Sequence, residues 1–165
     1  MTTFYIILLA GIIFFTAYYA IVMKINDNDE PESLSATSYL WKGYIGQTWP
    51  FTLFCFVSAL TILPIWLEKS SENLQFLVFL SCLGIMTAGT TPLFREKDER
   101  LIDYIGGYIS FLCGVLWVIL SNEYYVTWAI ICIGSFWMLF DKLKYVYIFE
   151  VVAYLAIAVR LLLFN

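Results

Sequence analysis

The stretch from Trp49 to Leu67 reads WPFTLFCFVSALTILPIWL and contains no acidic or basic residue. A helix needs about 20 mostly apolar residues to cross the hydrocarbon core of a bilayer, and this stretch has nearly that length. Similar runs occupy residues 4–23, 74–94, 104–120, 124–140 and 146–164. The sequence therefore predicts an all-α fold, a polytopic transmembrane bundle of about six helices that forms one integral membrane domain over residues 1–165.

The composition of the whole chain favours the same interpretation. Of its 165 residues, 62% are hydrophobic and 13% are charged, whereas an average soluble domain has about 25% charged residues. The formal net charge is −4, so the chain lacks the basic face that a nucleic-acid-binding protein needs. An ordinary soluble domain, a disordered chain and a nucleic-acid binder are therefore excluded.

Histidine and cysteine, which commonly bind metal ions or take part in nucleophilic catalysis, are either absent or lie where they are expected to pack in the core. Histidine does not occur, which excludes histidine-bound zinc and every catalytic triad that needs an imidazole base. Each of the four cysteines lies inside a different apolar segment: Cys55, Cys82, Cys113 and Cys132. Such cysteines usually behave as small apolar side chains. We therefore expect no metal and no cofactor, and the sequence identifies no catalytic residue.

The basic residues predict the orientation. If all six segments cross the membrane, the loops after the first, third and fifth lie on one side and hold seven of the nine basic residues. These seven are Lys24, Lys42, Arg95, Lys97, Arg100, Lys142 and Lys144. Lys69 lies on the other side, and Arg160 can reach toward it. Because Lys and Arg are concentrated in cytoplasmic loops, we expect residues 24–48, 95–103 and 141–145 to be cytoplasmic and both termini to be external, in the cell or inner membrane.

One helix carries a stripe of small residues. Gly106, Ser110 and Gly114 recur every four residues along the fourth predicted span. Such a stripe lets two helix backbones approach closely in lipid. The stripe predicts tight packing, either inside the bundle or between two copies in a homo-oligomer.

Several polar side chains lie in the half of the bundle that the orientation places toward the cytoplasm: Thr52, Thr87, Thr91, Asp103 and Glu150. If they converge, they line a polar pocket. The alternative for each threonine is a hydrogen bond to a carbonyl of its own helix. The alternative for Asp103 is an N-cap at the start of the fourth predicted span.

Glu150 is the most unusual of these residues. It lies about one turn inside the sixth predicted span, between Tyr147 and Tyr154. Acidic side chains inside a membrane are rare, usually face the interior and are often functional. The alternative is an acid close enough to the surface to stay hydrated, and the sequence leaves both interpretations open.

These features favour a non-enzymatic membrane protein that binds a lipid-like ligand or a partner protein through a cytoplasm-facing pocket. One alternative is a membrane enzyme acting on lipid, with Asp103 and Glu150 as the acid and base. A further alternative is a small transporter or channel subunit that uses Glu150 as an ion or proton site.

Two short stretches carry a resemblance. Residues 31–39 read PESLSATSY, and Thr91-Pro92 is followed, after a polar loop, by DYIGG at residues 103–107. They resemble uncharacterised bacterial six-helix membrane proteins that look distantly similar to the CREST superfamily, which includes alkaline ceramidases and PAQR receptors. The resemblance implies a helical bundle with a cytoplasm-facing polar site, with Ser35 and Asp103 at the matching positions. CREST hydrolases use histidine-bound zinc, so for this histidine-free chain the resemblance implies a relative without the zinc chemistry.

Overall fold

The computed structural model describes residues 2–29 and 31–121, together with Ile157 and Leu161. In this part, the chain forms five α-helices and one short 3₁₀ helix, with no strand. The α-helices are α1 (Thr2–Ile25), α2 (Thr37–Ile45), α3 (Trp49–Glu68), α4 (Gln75–Thr90) and α5 (Lys97–Leu120), and the 3₁₀ helix (Glu72–Leu74) leads directly into α4. The prediction of an all-α bundle is therefore confirmed for the described residues.

Within the described residues, four helical segments are long and apolar enough to cross a membrane: Ile6–Ile25, Trp49–Glu68, Glu72–Thr90 and Lys97–Leu120. They correspond to the first four predicted spans, which indicates a membrane protein. The fifth and sixth predicted spans lie outside the described residues, apart from Ile157 and Leu161, which are buried.

The start of α5 differs from the prediction. The helix begins at Lys97 rather than near residue 104, and its first turn contains Asp98 and Glu99. Acidic side chains there stabilise a helix by interacting with the positive end of its dipole. Hydropathy identifies only the part of a helix that lies in hydrocarbon, so this charged extension was missed.

The long helices pack in sequence, with α5 on α4, α4 on α3 and α3 on α1. The short connections of α3 to α4 and of α4 to α5 make these neighbours antiparallel. Gly11 lies against Thr61 and Tyr18 stacks on Phe54, so α1 and α3 also run in opposite directions. The C-termini of α1 and α4 and the N-termini of α3 and α5 therefore meet at one end of the bundle, which we call the α2 end because α2 contacts α1 and α3 there. Among the described basic residues, this end holds Lys24, Lys42, Arg95, Lys97 and Arg100, whereas Lys69 lies at the opposite end.

The tightest helix contact joins α4 to α5. A Cβ atom added to Gly84 would lie 2.5 Å from the carbonyl oxygen of Gly106 and 2.6 Å from the backbone nitrogen of Ser110. A Cβ atom on Gly106 would lie 2.8 Å from the backbone nitrogen of Ala88. Gly114 is less constrained, since its nearest neighbour would be the Ser81 hydroxyl at 3.5 Å. The small-residue stripe of α5 thus packs within the chain, and a homo-oligomer through it stays a prediction.

A tryptophan pair joins α3 to α5 at the opposite end. Trp117 Nε1 donates a hydrogen bond of 2.8 Å to Ser70 Oγ, and that hydroxyl donates to the carbonyl oxygen of Trp66 over 2.6 Å. The two indole rings meet edge to face, with centroids 5.3 Å apart. Trp117 is 1% exposed, so this part of α5 is held in the core and its register against α3 is fixed.

Candidate functional site

The loop after α1 reverses the chain in an acidic turn. Asp27 and Asn28 both adopt positive φ angles, 53° and 66°, which Asp and Asn tolerate better than most residues. The Asn26 side chain donates to the carbonyl oxygen of Asp29 over 2.8 Å. This turn directs the following residues back toward the bundle.

Residues 31–39, which we call the strap, are fixed to the helices around them. Tyr18 on α1 and Thr37 share a hydrogen bond of 2.6 Å between their hydroxyls, and Thr37 also donates to the carbonyl oxygen of Leu34 over 2.6 Å. The hydroxyl of Ser38 donates to the carbonyl oxygen of Pro92. Thr37 and Ser38 are fully buried, so the strap is part of the folded core.

The connection between α4 and α5 holds the outer side of the strap. The backbone nitrogen of Arg95 donates to the Tyr39 hydroxyl over 2.8 Å. The Arg95 guanidinium forms a 2.9 Å ion pair with Glu32 and lies 4.9 Å from the centre of the Tyr39 ring. Both partners of the ion pair are exposed, so it adds little stability by itself.

Asp103 lies under the strap. Its side chain is 6% exposed, and Ser35 Oγ donates to Asp103 Oδ1 over 3.1 Å. The N-cap interpretation of Asp103 is wrong, because Glu96 precedes the first residue of α5 and Asp103 lies in the interior of that helix. The hydrogen bond from Ser35 to Asp103 joins the two residues at the positions that match the CREST-like motifs.

A cavity of about 140 Å³ opens beside this pair. Its described walls are mainly apolar and come from all four long helices, for example Ile12, Phe15, Phe54, Ile62, Ile85 and Gly107. The strap contributes Leu34 and Ser35. Ser35 lines the cavity and bonds to Asp103, and Gly107, which also lines it, follows Asp103 by about one turn of α5. The carboxyl group therefore lies behind Ser35, next to the α2 end of the cavity.

The hydroxyl groups along the cavity differ in their hydrogen bonding. Thr16 donates to the carbonyl oxygen of Ile12, and Thr61 lies within donating distance of the carbonyl oxygens of Val57 and Ser58. The Ser58 hydroxyl is buried and has no hydrogen-bond partner among the described residues. The sequence analysis missed Ser58, although Ser58 and Thr61 form a hydroxyl-bearing edge on an otherwise apolar span.

The predicted threonines do not gather around Asp103 as a group. Thr87 donates to the carbonyl oxygen of Leu83 over 2.8 Å, and Thr91 approaches that of Ala88 at 3.3 Å. Both therefore adopt the alternative of bonding to their own helix. Thr52 lines a separate surface depression next to α2.

The remaining predicted site residues lie outside the described residues: Tyr147, Glu150 and Tyr154. A pairing of Glu150 with Asp103 stays a prediction. The same holds for the enzyme and transporter alternatives, because both depend on Glu150.

The cysteines give no indication of a metal centre in the described residues. Cys55, Cys82 and Cys113 are buried and are not joined by disulfides, and no three His, Cys, Asp or Glu side chains of this part are placed to hold a metal ion. Cys132 lies outside it.

No protein-family model, curated protein or solved structure matches the chain. What the protein does must therefore be inferred from the cavity and its surroundings. The cavity combines mainly apolar walls with a few hydroxyl groups, and Ser35 connects it to the buried Asp103 carboxyl group. An apolar space with a few polar groups complements an amphiphile.

Proposed function

We propose that this chain is a non-enzymatic integral membrane protein that binds a single-chain amphiphile in the cavity between α1, α3, α4 and α5. The polar head would meet Ser35 and Asp103 beneath the strap, and the hydrocarbon chain would follow the apolar wall of α3 toward Ile62. The observation that carries this proposal is the cavity itself, a mainly apolar space between the four long helices whose wall includes Ser35, the hydrogen-bond partner of the buried Asp103 carboxyl group.

The surroundings of Asp103 favour a head group that donates hydrogen bonds. An ionised carboxylate offers about four acceptor positions, and in the described contacts Ser35 occupies one of them. The two arginines of the described residues are engaged elsewhere, since Arg95 pairs with Glu32 and Arg100 donates to the carbonyl oxygen of Arg95. A hydroxyl-rich or amine head satisfies the carboxylate, whereas an anionic phosphate is repelled by it.

The proposal includes six membrane-crossing helices, with the α2 end in the cytoplasm and both termini external. The support is the clustering of five of the six described basic side chains at the α2 end, since such residues are retained on the cytoplasmic side. Bilayer lipid would then reach the cavity from the inner leaflet.

We expect Gly107→Phe to abolish binding of monostearoylglycerol while preserving the fold. Gly107 lines the cavity, and a Cβ atom there meets nothing within 4 Å, so the added ring occupies the space of the ligand without a backbone clash. Retention of monostearoylglycerol by the full chain, released from nanodiscs into a native mass spectrometer, measures the loss. The matched control is Gly43→Phe, which also adds a ring in open space but lies on α2, away from the described lining.

Equal loss in both variants would show that a surface ring disturbs retention in general. Full retention in Gly107→Phe would place the lipid elsewhere and contradict the proposed function. Since replacing Gly in a helix raises helix propensity by up to about 1 kcal/mol, neither variant is expected to lower thermal stability.

The orientation is tested by cysteine labelling in intact cells. A Lys97→Cys variant is expected to stay unlabelled by a membrane-impermeant maleimide, and a Lys69→Cys variant is expected to react. The two lysines lie at opposite ends of the described bundle, so they report on opposite sides of the membrane. Labelling at residue 97 with none at residue 69 would reverse the assignment. The wild-type chain, treated in the same way, measures the background labelling of the native cysteines.

A further inference from the structure

An open depression of about 730 Å³ lies at the α2 end, next to the start of α3. The end of α2, the turn after it and the first two turns of α3 supply most of its described lining, which includes Lys42, Gln47, Thr48, Trp49, Thr52 and Phe56. We propose that this depression is a second lipid site, which binds the head group of an anionic glycerophospholipid. The site goes beyond the proposed function, because none of its described residues lines the cavity.

The depression and the cavity lie on opposite sides of α3. The helix gives Trp49, Leu53 and Phe56 to the depression, and it gives Phe54 and Ile62 to the cavity. With 3.6 residues per turn, these two sets point in nearly opposite directions from the axis of α3. Trp49 and Leu53 are exposed, so this outer face of a membrane-spanning α3 meets the bilayer. A lipid bound there therefore does not compete with a ligand in the cavity.

The polar part of the depression is suited to a phosphate group. The Lys42 ammonium is exposed and forms no ion pair with another described residue. The Thr48 hydroxyl makes no capping hydrogen bond to α3, although Thr48 is the residue before the first turn of that helix. The described lining contains no Asp or Glu. Lys42 therefore attracts an anion without competition from a carboxylate in this lining, and Gln47 and Thr48 can donate hydrogen bonds to phosphate oxygens.

The lining changes from polar to apolar along α3. The segment that can cross a membrane begins at Trp49, and tryptophan is enriched where the bilayer meets water. Lys42, Gln47 and Thr48 precede this level, whereas Phe56 lies eight residues beyond Thr48, or about 12 Å along the helix axis. A glycerophospholipid in one leaflet has the same order, with the charged head group at the surface and the acyl chain below it.

The charges of the two sites select different lipids. In the cavity, the Asp103 carboxylate repels a phosphate, whereas Lys42 attracts one in the depression. The choline of phosphatidylcholine carries a positive charge that finds no carboxylate in the described lining. The glycerol head of phosphatidylglycerol carries no positive charge and offers hydroxyl groups to Gln47 and Thr48. The depression is therefore expected to prefer phosphatidylglycerol.

The test uses the full chain in nanodiscs made from equal amounts of dioleoylphosphatidylglycerol and dioleoylphosphatidylcholine. Native mass spectrometry measures the ratio of the two lipids that the released protein retains. We expect the wild type to enrich phosphatidylglycerol and Lys42→Gln to lower that enrichment roughly fivefold, the effect of one basic side chain near anionic lipid. The matched control is Lys24→Gln, which removes an exposed lysine from the same end of the bundle but outside the described lining. This control should keep the enrichment.

The outcomes separate this site from the cavity. Equal losses in Lys42→Gln and Lys24→Gln would show a general attraction of anionic lipid to the basic end and would overturn the site, as would a wild type without enrichment. Gly107→Phe fills the cavity and should retain phosphatidylglycerol as the wild type does, and a loss there would place this lipid in the cavity instead. If monostearoylglycerol fails to bind while Lys42→Gln alone lowers the enrichment, the proposed function fails and the phospholipid site stands.

Discussion

Gly84→Leu is expected to prevent α4 from packing on α5 and to abolish cooperative thermal unfolding of the purified chain. A single added Cβ atom already falls 2.5 Å from the carbonyl oxygen of Gly106, and that neighbour is backbone, which cannot rotate away. Overpacking a core costs about 1–3 kcal/mol, and we expect Gly84→Ala to reach the upper part of this range because both obstructing atoms belong to α5. Circular dichroism and thermal unfolding in detergent measure both variants.

Gly107→Ala and Gly114→Ala are the matched controls, since all three glycines are helical. A Cβ atom at Gly107 meets nothing within 4 Å, and at Gly114 it makes ordinary contact at 3.5 Å. These controls should therefore leave stability unchanged or raise it slightly, because helix propensity favours alanine by about 1 kcal/mol. If Gly84→Ala proved as stable as Gly107→Ala, the close approach of α4 and α5 would be wrong.

The sequence predicted only one side of this contact. The four-residue spacing on α5 marks Gly106, Ser110 and Gly114 as a packing face, because a regular stripe of small side chains is a local property of one helix. On α4, Gly84 and Ala88 also lie four residues apart, but two small residues are too short a pattern to mark a packing face, and their role depends on which helix lies opposite them. A local pattern therefore identifies the face, but only the tertiary arrangement identifies its partner.

The candidate site was predictable to a similar extent. Ser35 and Asp103 were marked by their short motifs, whereas the hydrogen bond between them joins residues 68 positions apart and is set by the fold of the strap. Thr52 was selected by its depth in the span, but depth does not fix direction. Thr52 and Ser58 lie six residues apart, which places them roughly 120° apart around the axis of α3. Only Ser58 faces the cavity.

Asp103→Asn is expected to lower the affinity for monostearoylglycerol by roughly twofold to thirtyfold while leaving the fold intact. Hydrogen bonds to a charged group are worth about 1.5–3 kcal/mol and those to a neutral one about 1 kcal/mol, so the loss arises from the weaker acceptor offered to the head group. The amide oxygen still accepts the Ser35 hydroxyl, which keeps the strap in place. Because a buried amide costs less than a buried charge, the free energy of unfolding should stay the same or rise.

Ser35→Ala distinguishes this ligand role from a purely structural one. It removes the hydrogen bond that the strap gives to Asp103 but keeps the charge, so we expect a loss of about 1–3 kcal/mol of stability from the less satisfied buried carboxylate. When Ser35→Ala is combined with Asp103→Asn, the loss of stability caused by Ser35→Ala should be smaller, because a buried amide needs the hydroxyl less than a carboxylate does. The difference between the two losses measures the coupling free energy of Ser35 and Asp103. If Asp103→Asn instead unfolded the protein and left the residual affinity unchanged, the carboxylate would serve the strap alone, and the head group would have to be bound elsewhere along the cavity.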